Sequence, residues 1–211
     1  MHVIWDWNGT LLDDTAACVE TLNLMLVKRG GKPVTMEFFR RNFSFPARRF
    51  YELVGMDVRD EDWDALALEY HRTYLQQRVK LNDETLAALE TVKKTGNRQS
   101  VLSALRQDLL DAKMREYDLK GYFEHIVGSD NLDGGSKLER AKEFAASLRG
   151  EEAVLIGDSL HDAEVARAMG VRCVLCSQGS HSHERLVAAA PTAVDLLGAL
   201  RLAGLTNSSE I

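Results

Sequence analysis

The chain has 211 residues, of which 45% are hydrophobic and 27% are charged, proportions that are ordinary for a soluble globular protein with a sizeable core. Its formal net charge of −6 argues against nucleic acid and anionic membranes as partners, whereas a small anionic substrate stays compatible because a metal ion can dominate one site. The sequence has no signal-peptide pattern and no apolar run of membrane-spanning length, so we expect a cytoplasmic protein, and it does not specify the oligomeric state.

The N-terminal stretch His2–Asp6 (HVIWD) predicts a buried strand that ends at an acidic residue, with Asn8-Gly9 directly after it. An Asn-Gly pair is a strong signal for a hairpin turn. The following residues, however, become helical instead of forming a second strand. We therefore interpret Asn8-Gly9 as part of a loop at the end of a strand, which a short local turn would not contradict.

The next sixty or so residues hold no convincing strand and predict an inserted group of helices. The predicted helices are Thr15–Arg29, Thr35–Arg41, Pro46–Val54 and Asp60–Arg78. We interpret residues 15–79 as a helical cap domain inserted into a core domain formed by residues 1–14 and 80–211. Within the cap, Phe39–Phe50 mixes aromatic residues with four arginines. Those arginines are either solvated or recognise a distal anionic group of a substrate.

After the insert, a predicted helix over Asn82–Lys94 is followed by short apolar runs that alternate with helical patterns. The runs are Ser100–Leu105, His125–Ser129, Ala153–Asp158 and Cys173–Ser177. Near-continuous apolar runs are expected for parallel strands that are covered on both faces. A capping box at Ser136–Glu139 and a further helix start at Ser159 support the alternation. With the first strand, the pattern predicts an α/β fold with a doubly wound, Rossmann-like, mainly parallel five-stranded sheet.

Polar residues gather where the predicted strands end, and ligands of open parallel sheets bind at that edge. They are Asp6, Ser103, Lys137, Asp158 and Asp162. Carboxylates, a hydroxyl and an ammonium together suit a phosphate with a hard divalent cation such as Mg²⁺, and a carboxylate can then attack phosphorus. Four of these residues also have a structural alternative: Asp158 and Asp162 suit a helix N-terminus, Ser103 suits a buried strand, and Lys137 suits a solvated first turn.

These motifs in this order resemble the haloacid dehalogenase superfamily of hydrolases, in the branch similar to phosphoglycolate phosphatase. The motif D-x-D-G-T-L-x-D matches Asp6–Asp13 with one departure, and G-D-x-x-x-D matches Gly157–Asp162. A hydrophobic strand that ends in Ser or Thr matches Ser103, and an isolated lysine matches Lys137. The helical insert is similar to the cap that follows the first strand in this branch.

The resemblance implies a Mg²⁺-dependent phosphatase that acts on a small phosphorylated metabolite through an aspartyl-phosphate. Asp6 would be the nucleophile and a metal ligand, with Thr10 supporting its loop. The other implied metal ligands are the backbone carbonyl of Asn8, then Asp158, and Asp162 in an outer position. The implied phosphate-binding residues are Asn8, Gly9, Ser103, Ala104 and Lys137.

The departure is Asn8, which occupies the place of the family's general acid and base. An amide can neither protonate a leaving oxygen nor activate water, and such help contributes roughly 10²- to 10⁴-fold. Three hypotheses follow: the enzyme is slow on alkyl phosphates, it uses another acid such as Asp13 or His161, or Asn8 deamidates. A catalytically weak protein that binds a phosphorylated ligand as a sensor or interaction module is the alternative function.

Two further patterns are weak on their own. Cys173 and Cys176 form a C-x-x-C inside an apolar run, which favours two small strand residues over a metal or redox site. His181 and His183 lie in a predicted loop, where two histidines alone indicate little about metal binding.

Overall fold

The computed structural model describes residues 1–56, 58, 62–130, 137–148 and 150–206. Within these residues, six strands form one parallel sheet in the order β5-β4-β1-β6-β7-β8, and two short strands, β2 and β3, form an antiparallel pair. The strands are β1 His2–Trp5, β2 Leu12–Asp13, β3 Lys80–Leu81, β4 Arg98–Arg106, β5 Ile126–Ser129, β6 Ala153–Gly157, β7 Arg172–Cys176 and β8 Thr192–Ala193.

Strand β1 lies in the middle of the sheet, because Ile4 pairs with Ser100 of β4 on one side and with Leu155 of β6 on the other. All four residues of β1 are buried, as the continuous apolar run predicted. The α/β class and the five predicted strands are confirmed. The sheet has one strand more than expected, because the short stretch Thr192–Ala193 pairs with β7 at the edge.

Helices cover both faces of the sheet, as a doubly wound fold requires. The helices are α1 Thr15–Lys28, α2 Met36–Asn42, α3 Ala47–Leu53, α4 Trp63–Tyr74, α5 Thr85–Lys94, α6 Gln107–Glu116, α7 Lys137–Ser147, α8 Leu160–Met169, α9 His183–Val187 and α10 Leu196–Ala203. Alternate residues of β1 point to opposite faces. Val3 therefore packs in the cluster with α5, α6 and α10, whereas Ile4 packs in the cluster with α7 and α8.

Helices α1 to α4 form the insert and have a hydrophobic cluster of their own. Its centre includes Leu22, Met25, Phe39, Phe50 and Leu66, each at most 4% exposed. The chain enters the insert after β2 and re-enters the core at β3. Leu12 pairs with Leu81 and Asp13 pairs with Lys80, so the two chain crossings lie side by side. The proposed division into two domains is not tested by this arrangement and stays a prediction.

No helix in the described ranges is long and apolar enough to cross a membrane. The predicted capping box before α7 begins at Ser136, which lies outside the described residues. The corresponding start of α8 is described: the Ser159 hydroxyl accepts from the backbone N–H of Asp162, and the Asp162 carboxylate accepts from the backbone N–H of Ser159.

Candidate active site

Three carboxylates meet at the carboxyl edge of the sheet. Asp6 follows β1 and Asp158 follows β6, its neighbour in the sheet, while Asp162 projects from the first turn of α8. One oxygen from each of the three lies within 4.8 Å of the others, and all three residues are buried. Asp6 and Asp158 are thus close enough to share one ion, as the sequence predicted.

Lys137 joins this cluster from the start of α7 and is 2% exposed. Its Nζ lies 2.5 Å from Asp6 Oδ1 and 2.7 Å from Asp162 Oδ1. Burial works against its charge, but Asp162 and Asp6 outweigh burial and raise its pKa above the ordinary value. The solvated-lysine alternative is therefore excluded by the position of this side chain.

Asp158 is held by the loop that follows β7, which sequence reasoning had not connected with the site. Asp158 Oδ2 accepts from the backbone N–H of Ser180 at 2.5 Å and from its hydroxyl at 2.6 Å. The Thr10 hydroxyl lies 3.4 Å from both Asp6 Oδ2 and Asp158 Oδ1 and so spans the two acids. A side chain at Gly9, where φ is +76°, would collide with the Asp158 carboxylate, so this close approach requires glycine.

The electrostatics of the cluster fit a divalent cation. Burial raises the pKa of Asp6, an effect that Lys137 opposes and the neighbouring carboxylates reinforce; burial and Asp162 raise the pKa of Asp158 to about 7. Asp162 behaves differently, since Lys137 and hydrogen bonds outweigh burial and lower its pKa. When all three buried carboxylates are ionised, they exceed the charge of the one lysine by two, and a divalent cation among these oxygen donors, the set that Mg²⁺ prefers, would compensate that excess.

Asn8 faces a carboxylate that the sequence analysis did not select. Its Nδ2 donates to Asp14 Oδ2 at 2.7 Å, and Asp14 Oδ1 accepts from the backbone N–H of Gly9 at 2.8 Å. From the insert, the Tyr74 hydroxyl donates to Asp14 Oδ2 at 2.6 Å. Burial raises the pKa of Asp14 although all three donors favour the charged form. We call Asn8, Asp14 and Tyr74 the junction triad, because it joins the strand end to the inserted helices.

The other predicted site residues differ in position. Ser103 is buried, and its Oγ accepts from the backbone N–H of Leu105 at 3.0 Å, so its role toward phosphate stays a prediction. Ala104, Lys137 and His161 line the cavity above the cluster. Asp13 is exposed on β2, which disfavours it as the alternative acid.

A cavity of about 190 Å³ lies between the inserted helices and the acidic cluster. Its floor includes Asp6, Asn8, Asp158 and Asp162, and eight aromatic side chains of the insert contribute to its walls. The insert reaches the core at a second point, because the Arg40 guanidinium donates to the carbonyls of Gln178 at 2.8 Å and Gly179 at 2.9 Å. The loop that holds Asp158 is therefore also a contact of the insert.

His181, in the same loop, is 1% exposed, and its Nδ1 accepts from the backbone N–H of Leu160 at 3.0 Å. Burial, with smaller contributions from Arg185 and His161, lowers its pKa to about 4, although Asp162 and a backbone hydrogen bond at Phe43 oppose the shift. Within the described ranges, the acidic cluster is the one group that offers three metal-ligating side chains, and it contains no histidine. His181 thus has a structural role, while His183 begins α9.

The cysteines fit the strand interpretation. Cys173 and Cys176 lie on β7, the first half-buried and the second buried, and both are free thiols. Burial raises the pKa of Cys173 to about 12, so its thiol is protonated and poorly reactive at neutral pH.

Comparisons with known proteins agree with this geometry. A model of the haloacid dehalogenase-like hydrolase family matches residues 3–176. Phosphoglycolate phosphatase from Pseudomonas fluorescens is 28% identical over 99% of this chain and 81% of its own length. Phosphoglycolate phosphatase 1 from Pseudomonas aeruginosa is 25% identical over 91% of this chain and 75% of its own length. A crystal structure of a predicted phosphatase from Clostridium acetobutylicum superposes with a TM-score of 0.75 at 23% identity, covering 96% of this chain and 98% of the other.

Proposed function

Because the chain belongs to the haloacid dehalogenase-like hydrolase family and is a phosphatase of that family, we propose that it hydrolyses small phosphomonoesters through a phosphoryl group carried on Asp6. One observation supports this most directly. Four side chains from three separate segments of the chain meet in one buried cluster at the floor of a cavity: Asp6, Lys137, and Asp158 with Asp162.

In the proposed first step, a carboxylate oxygen of Asp6 attacks phosphorus and the bond from phosphorus to the leaving oxygen breaks. Lys137, already paired with Asp6, lies where its ammonium can donate to the phosphoryl oxygens. In the second step, water attacks the phosphorus of the aspartyl-phosphate, and the bond from phosphorus to the Asp6 oxygen breaks. The Asp6 carboxylate is regenerated, inorganic phosphate leaves, and the proton of the attacking water passes to solvent. Asn8 can move a proton in neither step.

The donor set fits Mg²⁺, and we propose Asp6, Asp158 and the backbone carbonyl of Asn8 as its ligands, with Asp162 orienting the neighbouring groups. When bound, a divalent cation offsets the repulsion between the anionic carboxylate and the anionic phosphoryl group. Ser180 and Thr10 would keep Asp158 and Asp6 in position through the hydrogen bonds described above.

We also propose that residues 15–79 act as a cap that covers the cavity. Three features support this: the insert has its own hydrophobic cluster, it is joined to the core through β2 and β3, and its Tyr74 and Arg40 contact the edge of the site. A cap excludes water from the reacting groups and supplies the contacts that select a substrate.

The test is phosphate release from a panel of phosphomonoesters, with Mg²⁺ and after chelation. We expect turnover with Mg²⁺ only, and a mass increase of one phosphoryl group that maps to Asp6 in quenched samples. Asp6→Asn should lower turnover by more than about 10³-fold, whereas the control Asp83→Asn, an exposed acid, should leave it unchanged. Turnover that survives Asp6→Asn would contradict the proposal.

Asn8 favours a second candidate, a protein that binds a phosphorylated ligand as a sensor without rapid turnover. Binding of phosphomonoesters by calorimetry, with neither phosphate release nor a labelled Asp6, would support this candidate. Multiple turnovers on any ester of the panel would exclude it.

A further inference from the structure

We propose that the substrate of this site is a phosphate monoester of an apolar phenol, whose ring binds among the aromatic side chains of the inserted helices. This inference rests on the proposed phosphatase function and names its substrate class. Two independent features carry it: the composition of the cavity wall and the amide at the position of the proton donor.

The cavity is built to hold an apolar ring. Its wall includes eight aromatic residues of the insert, which we call the aromatic wall: Phe39, Phe43, Phe45, Phe50, Tyr51, Trp63, Tyr70 and Tyr74. The ring centroids of Phe39 and Phe43 are 4.7 Å apart, and those of Phe43 and Phe45 are 5.3 Å apart. An apolar cavity of roughly 150 Å³ is sufficient for benzene, so the 190 Å³ present here suits a phenyl ring above a phosphoryl group.

The described lining of the cavity offers a second anionic group no lysine or arginine of its own. Among the described residues that line it, Lys137 is the one lysine or arginine, and it is occupied by Asp6 and Asp162. The arginines of Phe39–Phe50 do not line the cavity: Arg40 donates to carbonyls of the core, and Arg48 donates to the carbonyl of Val58. A distal carboxylate could reach the His71 and His161 rings or tyrosine hydroxyls of the lining, but it would meet no second lysine or arginine there, and burial of a charge without a charged partner opposes binding.

The chemistry of Asn8 points to the same class. An alkoxide, whose conjugate acid has a pKa near that of water, about 15.7, needs a proton as it leaves. A phenolate, with a conjugate acid of pKa about 10, leaves far more readily without one. In the step as proposed, an Asp6 oxygen bonds to phosphorus and the bond from phosphorus to the aryl oxygen breaks. The electron pair stays on the aryl oxygen, which takes a proton from solvent after release.

The experiment compares kcat/KM of the Mg²⁺-loaded enzyme for four esters: phenyl phosphate, cyclohexyl phosphate, acetyl phosphate and phosphoglycolate. Phenyl and cyclohexyl phosphate have similar size but differ in the leaving group, and we expect the phenyl ester to be preferred by at least about 10²-fold. Acetyl phosphate has an acidic leaving group without a ring. Phosphoglycolate has an alkoxide leaving group and a distal carboxylate, so it should be the poorest substrate.

The contribution of the aromatic wall is measured separately. Phenylphosphonate should inhibit the parent enzyme about 10- to 100-fold more strongly than methylphosphonate, as expected for burial of one ring. Phe45→Ala should reduce that ratio and raise KM for phenyl phosphate by a larger factor than KM for acetyl phosphate. Phe38→Ala is the matched control, since Phe38 is exposed and does not line the cavity.

The outcomes separate the two proposals. If no ester is hydrolysed and Asp6 is never labelled, the proposed function itself fails. If acetyl phosphate and phosphoglycolate are hydrolysed but the phenyl ester has no advantage over cyclohexyl phosphate, and the two phosphonates bind equally, only the substrate class is wrong. Equal inhibition ratios in Phe45→Ala and the parent would also contradict the role of the aromatic wall.

Discussion

Replacing Asn8 by aspartate should convert this enzyme into one that tolerates poor leaving groups. A carboxyl group at this position can protonate the leaving oxygen and then take a proton from water, help that is worth roughly 10²- to 10⁴-fold in rate, or about 3 to 5 kcal/mol of barrier. The gain should therefore be large for cyclohexyl phosphate and small for the first step with an aryl phosphate.

The contacts of the junction triad determine how large the rate gain of Asn8→Asp is within the range of roughly 10²- to 10⁴-fold. Asn8 Nδ2 lies 2.7 Å from Asp14 Oδ2 in a buried environment. Two carboxylates at that distance repel each other by about 6 kcal/mol at an effective dielectric constant of about 20. The pair would therefore retain one shared proton at neutral pH. Because Asp14 competes for that proton, we expect a gain of about 10²-fold in kcat, the lower end of the range.

The assay has a steady-state part and a rapid-mixing part. In the parent enzyme, no side chain at position 8 activates water, so the phosphoryl group should accumulate on Asp6 and p-nitrophenyl phosphate should give a burst of phenolate. In Asn8→Asp the burst should disappear as the second step accelerates. The double variant Asn8→Asp/Asp14→Asn restores a carboxyl–amide pair and serves as the control for repulsion. No gain in either variant, with an unchanged burst, would refute the reasoning.

Three further predictions concern stability, measured as the free energy of unfolding in urea. Lys137→Met should destabilise the metal-free protein by about 3 to 5 kcal/mol, because it leaves buried carboxylates unpaired, and Mg²⁺ should restore part of the loss. Tyr74→Phe should cost about 1.5 to 3 kcal/mol through the lost hydrogen bond to Asp14; an unchanged free energy of unfolding would contradict a stabilising role for this hydrogen bond. His181 has a folded pKa of about 4, below its unfolded value of 6.5, so the stability due to its neutral form is lost as the pH falls through this interval. The parent should lose about 2 kcal/mol more than His181→Asn between pH 7 and pH 5, and parallel losses would contradict this.

The parts of the fold and site that could be predicted share one physical basis. Continuous apolar runs identify buried parallel strands, and the residues after such strands must meet at one edge of the sheet. This rule was sufficient to bring Asp6 and Asp158 together, although they are 152 positions apart in the chain. Lys137 could be selected as well, since an ammonium in the first turn of a helix needs a compensating anion.

The parts that could not be predicted depend on short pairings with no periodicity. Asp13 and Asp14 are consecutive acids, and the sequence offered no way to decide which faces the site. The pairing of Leu12–Asp13 with Lys80–Leu81 decides it, because β2 turns Asp13 toward solvent and leaves Asp14 buried beside Asn8. Ser180 was missed for a similar reason, since only the loop after β7 brings its hydroxyl to Asp158.

The loop after β7 contacts both the acidic cluster and the insert, and this double contact has a thermodynamic consequence. Its Ser180 donates two hydrogen bonds to Asp158, and its Gln178 and Gly179 carbonyls accept hydrogen bonds from Arg40 of the insert. A change that strengthens the contact with Arg40 therefore also restrains the loop that holds Asp158, and the reverse holds as well. If binding of a substrate beneath the insert raises the affinity of the site for the cation, then by linkage the cation raises the affinity for the substrate by the same factor. The order in which the cation and the substrate bind would then change the binding pathway but not the stability of the final complex.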